Sequence, residues 1–126
     1  MLSFEEINDI LSEIVDDIPQ EIFNGLNGGV ILKPDVMPHP EGTGEDLYIL
    51  GQYHYNPYGL GRFITINYGS FRNVHGSLPV GLQKEKLREV LYHELTHHLE
   101  SLAGDDSLVI EDMKNMEKYR ERMDGK

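Results

Sequence analysis

The chain has 126 residues, no cysteine and a net charge of −11 with histidine neutral. That length suits one folded domain over 1–126, and the missing thiols exclude both a disulfide framework and a thiolate metal site. The acidic balance argues against nucleic acid or an anionic membrane as partner. No apolar run is long enough to cross a bilayer, and Met1-Leu2-Ser3-Phe4-Glu5-Glu6 has neither the basic region nor the apolar core of a signal peptide, so a cytoplasmic location is expected.

Ser3 followed by Glu6 is a capping box, and Phe4, Ile7, Ile10, Leu11, Ile14, Val15 and Ile18 recur behind it at helical spacing. An amphipathic helix ending near Pro19 is expected, with Glu5, Asp9, Glu13, Asp16 and Asp17 on a solvated face. Gln20 to Leu26 adds a short helical turn before Asn27-Gly28-Gly29 breaks it. Val30-Ile31-Leu32 reads as a buried strand stopped by Pro34, and residues 34–45, with three prolines and two glycines, as a loop carrying a surface His39.

Leu47 to Tyr55, rich in tyrosine and β-branched residues, suggests a second strand closed by Asn56-Pro57-Tyr58-Gly59. Arg62 to Tyr68 suggests a third, antiparallel to the second. A tyrosine hydroxyl or the His54 imidazole, facing a cleft, would be able to steady an oxyanion, although strand tyrosines more commonly serve packing. Gly69 to Pro79 reads as a loop with His75 at the surface. Leu82 to Tyr92 then holds helix formers with no Gly or Pro, Gly104 supplies a stop, and 106–123 is expected to form a last helix whose Val109, Ile110, Met113 and Met116 pack on the preceding one.

Inside the long helix stands His93-Glu94-Leu95-Thr96-His97, an H-E-x-x-H motif. Residues four apart lie one turn above each other, so the two imidazoles can close on one Zn²⁺ while Glu94 reaches a water on that ion without ligating it. At about 100° per residue, Leu87, Leu91, Leu95, Leu99 and Leu102 gather on one side, His93 and His97 nearly opposite, and Glu94 between. His98 falls toward the leucine side, where packing is expected of it rather than ligation. A catalytic zinc takes three protein ligands and leaves a position for water. The third donor is sought in Asp105 and Asp106, just past Gly104, or in Glu111 and Asp112 at the start of the last helix. Glu100 continues along the motif helix, away from the ion.

The run His93 to His98, an aspartate shortly afterwards and a capping-box helix at the N-terminus resemble the small bacterial zincin-like metallopeptidases. The resemblance implies an α+β minimal zincin-like fold: a small, mostly antiparallel sheet packed against an N-terminal helix, the H-E-x-x-H helix and a C-terminal helix. It also implies His93, His97 and a later aspartate around zinc, with Glu94 as the catalytic carboxylate. That family more commonly has glycine where this chain has Glu100, which moves the turn to Gly104. Asp105 is favoured as third ligand, Asp106 is close behind, and Asp112 is the helix-borne alternative. The expected function is hydrolysis of a peptide or protein substrate by metal-activated water, with Glu94 as general base and a peptide laid along Phe63 to Tyr68. The competing readings are a zincin-like metal-binding or protein-interaction module with little or no peptidase activity, and a structural zinc with four protein ligands.

Overall fold

A computed structural model describes residues 2–42 and 47–104. Helix α1 covers Phe4–Asp17, and its capping box is complete: the Ser3 hydroxyl accepts from the Glu6 amide while the Glu6 carboxylate accepts from the Ser3 amide. Ile7, Leu11 and Ile14 bury one stripe of it. A 3₁₀ turn, Gln20–Phe23, leads to strand β1, Gly29–Lys33. Strands β2, Gly51–Asn56, and β3, Gly61–Asn67, follow, and then helices α2, Tyr68–His75, and α3, Val80–Ala103.

The chain is α+β, and its described residues form a three-stranded sheet in the order β1-β3-β2. The sheet is mixed, where a mostly antiparallel one was expected: β3 runs antiparallel to β2 and parallel to β1. A hairpin dictates the first relation. At its tip the Asn56 side chain accepts from the Tyr58 amide, and Gly61 takes φ +72°, a left-handed conformation open to glycine without Cβ strain. The long connection after Pro34 dictates the second relation, because it lets β3 enter between the other two. β3 is therefore central, with both edges hydrogen-bonded, and no peptide can add along Phe63 to Tyr68 as expected above. Among the described residues, β1 and β2 are the sheet's edge strands. β1 is accordingly half-buried rather than fully buried.

The register places Val30 and Leu32 beside Ile64 and Ile66, with Tyr53 opposite Ile64, on one face. On that face Ile64 and Ile66 join Ile7, Leu11 and Ile14 of α1 and Leu87, Leu91 and Leu95 of α3 in the core. The five leucines of the motif helix thus divide: the first three are buried, and Leu99 and Leu102 are half-buried near its end.

Two stretches depart from expectation. Leu47 to Leu50 precedes β2 and pairs with the loop at a bridge between Pro38 and Tyr48 rather than joining the strand. Residues 68–75, read as loop, are helix α2, and His75 is buried against Phe71 rather than at the surface. The turn-like residues there have other work. A Cβ on Gly69 would stand 2.7 Å from the Asp35 carbonyl oxygen, and the Ser70 hydroxyl accepts from the Met37 amide at 2.7 Å, so small residues let the 35–37 backbone lie against α2. The expected helix over 106–123 lies outside the described residues. Among those described, no helix is long and apolar enough to cross a membrane.

Leu91 is fully buried in the core that α3 shares with α1 and the sheet. Leu91→Ala should cost about 2–5 kcal/mol, the range for deleting a buried leucine side chain, read as a lowered urea midpoint with an unchanged slope.

Candidate metal centre

α3 carries its 24 residues without Gly or Pro beyond Gly81, so the backbone through the motif is unbroken helix. One turn apart, His93 and His97 project into solvent with their Nε2 atoms 3.2 Å from each other and their rings nearly perpendicular, at 88°. Two nitrogens bound at about 2.0–2.1 Å to a tetrahedral ion stand about 3.3 Å apart. The pair therefore already has the spacing that a zinc ion asks of two ligands.

Glu94 points elsewhere. It is buried, 6% exposed, between α3 and the edge strand β2. The reason lies across from it at Gly51: a Cβ there would meet Val90 Cγ1 at 2.8 Å and Glu94 Cγ at 3.2 Å. With no side chain on Gly51, α3 approaches the strand closely enough to clamp the carboxylate beside the histidine pair. The resulting groove, about 700 Å³, runs between Gly51, Gln52 and Tyr53 on one wall and His93, Glu94, His97, Glu100 and Ser101 on the other.

A buried polar chain backs this groove. His98 is fully buried, and its Nε2 lies 2.8 Å from the Asn24 carbonyl oxygen, which can only accept. Nε2 must carry the proton, leaving Nδ1 as acceptor for the Tyr53 hydroxyl 3.0 Å away. Burial lowers the His98 pKa, in keeping with this neutral form, and the hydrogen bond to Asn24 opposes the shift in part. Tyr53 has its own proton committed to His98, so its hydroxyl is occupied in packing α3 on β2 rather than presented to an oxyanion. Burial also raises the Tyr53 pKa, against the favourable neighbours Ser101 and Arg62. Arg62 in turn donates from Nε to the Ser101 hydroxyl and lies 4.2 Å over the Tyr55 ring.

His54 belongs to the opposite face of the sheet. Being one residue along β2 from Tyr53, it turns away from α3, stacks on Phe63 and makes a 2.9 Å hydrogen bond with the Thr65 hydroxyl. The cleft role considered for it does not arise. His39 is exposed and accepts from the Glu41 amide through Nδ1, a local loop contact.

His93, His97 and Glu94 are thus brought together. Among the described residues, no group of three His, Asp or Glu is arranged to hold a metal. Asp105, favoured as third ligand, lies outside the described residues, as do Asp106, Glu111 and Asp112. Gly104 ends α3 as expected, yet with φ −61° and ψ −21°, still right-handed, so the backbone does not reverse at this residue. Sequence reasoning missed Gly51 and the Tyr53–His98 pairing. An isolated glycine in a strand-like run is a signal of close backbone approach and was there to be used; the Tyr53–His98 pairing, 45 residues apart, has no local signal.

No protein-family description matches the chain, and neither does any protein of curated function. Among solved structures, a "Conserved hypothetical protein (TTHA0227)" from Thermo thermophilus superposes with a TM-score of 0.69 at 33% identity, over 82% of this chain and 100% of that one. The chain belongs to that protein's family. The relative's name states no activity, which leaves the groove as the basis for any chemical reading.

Two consequences are measurable. Gly51→Ala should destabilise the fold by about 1–3 kcal/mol through overpacking, and adding Val90→Ala should recover much of the loss, as denaturant titrations of the single and double variants would show. The second concerns His54, whose pKa is lowered from 6.5 by burial and by Lys33. The unfolded chain takes up this proton near pH 6.5 while the native chain does so only at lower pH, so stability is full above that pH and falls as pH drops below it. His54→Gln should make that fall shallower, seen in urea midpoints measured across the interval.

Proposed function

We propose that this chain is a zinc-dependent metallopeptidase built on a minimal zincin-like scaffold. The observation that carries the reading is the 3.2 Å convergence of His93 and His97 Nε2 beside the buried carboxylate of Glu94. His93 and His97 would hold the ion, with a third donor from beyond Gly104, one of Asp105, Asp106, Glu111 and Asp112. When bound, Zn²⁺ supplies Lewis acidity, polarising a carbonyl and lowering the pKa of a water toward about 7. Glu94, which lines the same groove as the two histidines, would accept the proton of the attacking water and return it to the departing amine.

β2 supplies the binding surface. It is an edge strand whose Gly51 to Tyr53 line the groove, so an extended peptide would add to β2 by main-chain hydrogen bonds, with its carbonyl beside the histidines. The second reading, a metal-binding or protein-interaction module with little peptidase activity, draws on the exposure of both histidines, which the described residues leave open to water.

Zinc content and cleavage of a peptide library, measured on native protein and on Glu94→Gln, separate these readings. The peptidase reading expects stoichiometric zinc in both proteins and a loss of about 10²–10⁴-fold in kcat for the variant, the usual contribution of a general base. Equal cleavage by both would remove Glu94 from the mechanism. Zinc bound with no peptide cleaved would favour the binding module.

A further inference from the structure

The groove holds a second carboxylate for which the motif has no role. Glu100 lies one turn beyond His97, and its Oε2 is 3.6 Å from His97 Nδ1. It is on the far side of the ring from Nε2, the atom turned toward His93. In this position the carboxylate faces Nδ1 and not the side of the ring on which Nε2 would hold an ion, so Glu100 is poorly placed as a ligand. It is well placed to act on the ring itself.

Three facts about the imidazole give that contact a consequence. A neutral imidazole carries one proton, on Nδ1 or Nε2, and only the bare nitrogen can bind a metal. A negative charge beside Nδ1 stabilises the form with the proton there, leaving the Nε2 lone pair directed at His93. A carboxylate facing the outer nitrogen of a ligating histidine also fixes the tautomer and the ring's orientation. We infer that Glu100 is a positioning residue for the metal site, holding His97 in its Nδ1–H form so that Nε2 is ready to ligate.

Glu100 and His97 have half-exposed side chains, 41% and 46%. The bias is therefore moderated by solvent, and the contact lies just beyond hydrogen-bond length, which ligation of His97 would be expected to shorten. In the metal-free protein the same assignment requires His93 to donate across the 3.2 Å gap, since two bare lone pairs would repel. To ligate, His93 would move its proton from Nε2 to Nδ1 and free Nε2 for the ion, while His97 would need no such change and Glu100 would stay where it is.

The inference rests on the metal-site reading, so its test has one arm that needs no metal. In metal-free protein near pH 8, long-range ¹H–¹⁵N correlation of the histidine rings should show His97 protonated at Nδ1. Glu100→Ala, a substitution neutral for helix propensity at this exposed site, should shift it toward Nε2–H, and Glu100→Gln, whose amide oxygen can still accept, should shift it less. In the second arm, Zn²⁺ affinity is read by competition with a chromophoric chelator. Glu100→Ala should weaken it by about 10- to 100-fold, with Glu100→Gln intermediate. His97 in the Nε2–H form in the native protein, or an unchanged affinity in Glu100→Ala, would overturn the proposal. Native protein that binds no Zn²⁺ would instead defeat the metallopeptidase reading, and the metal-free arm would still decide what Glu100 does to His97.

Discussion

The close contact between α3 and β2 at Gly51 is the constraint on which the candidate site depends. A helix normally stands off a sheet by the depth of the side chains between them. Here one of those side chains is missing, and Val90 and Glu94 occupy the space. The approach places a carboxylate, costly to bury alone, where the strand wall shields it from one side and the histidine pair lies open on the other. If α3 were displaced outward, Glu94 would be an ordinary solvated side chain and the groove would lose its inner wall.

The polar interior keeps that approach in register. The Tyr53 hydroxyl, His98 and the Asn24 carbonyl connect β2, α3 and the turn before β1 in one hydrogen-bonded line. Gln83, also buried, donates to the Gly76 and Leu78 carbonyls and fixes the start of α3 against the end of α2. Apolar contacts tolerate sliding by a fraction of a turn, whereas a buried donor that loses its acceptor costs about 1–3 kcal/mol. The motif helix is thus anchored at both ends by groups that accept one alignment only, which is what a site built from two successive turns needs.

The parts of this architecture that could be read from the sequence are those set by neighbours in the chain. Ser3 and Glu6 are three residues apart and cap α1 as expected. The Asn56 to Gly61 turn forms the hairpin, and the leucine period of α3 predicts which side is buried. What could not be read depends on contacts across the chain. Gly69 and Ser70 have the chemistry of a loop, yet they accommodate a strand of backbone from 35–37 and start a helix. Whether β3 is central or an edge depends on where β1 lies, and nothing within Arg62 to Tyr68 reports that. His98 was placed correctly toward the leucines, because its position follows from helical geometry alone, but its partner Tyr53 follows only from the fold.

The histidine pair also limits how a third donor can be supplied. Gly104 is seven residues past His97, about 10 Å along the axis of a regular helix. Since Gly104 itself keeps right-handed backbone angles, the return toward the histidines is not begun there. Asp105 would need an immediate reversal to cover that distance with a short side chain, while Glu111 and Asp112 have about six or seven further residues of chain, each spanning up to about 3.3–3.6 Å when extended, in which to come back. The uninterrupted helix that puts Glu100 beside His97 is the same feature that lengthens this return. A glycine at position 100 would shorten the path to a third ligand and remove the carboxylate from His97 Nδ1, so the orientation of the second histidine and the origin of the third donor are set together by whether α3 continues past residue 100.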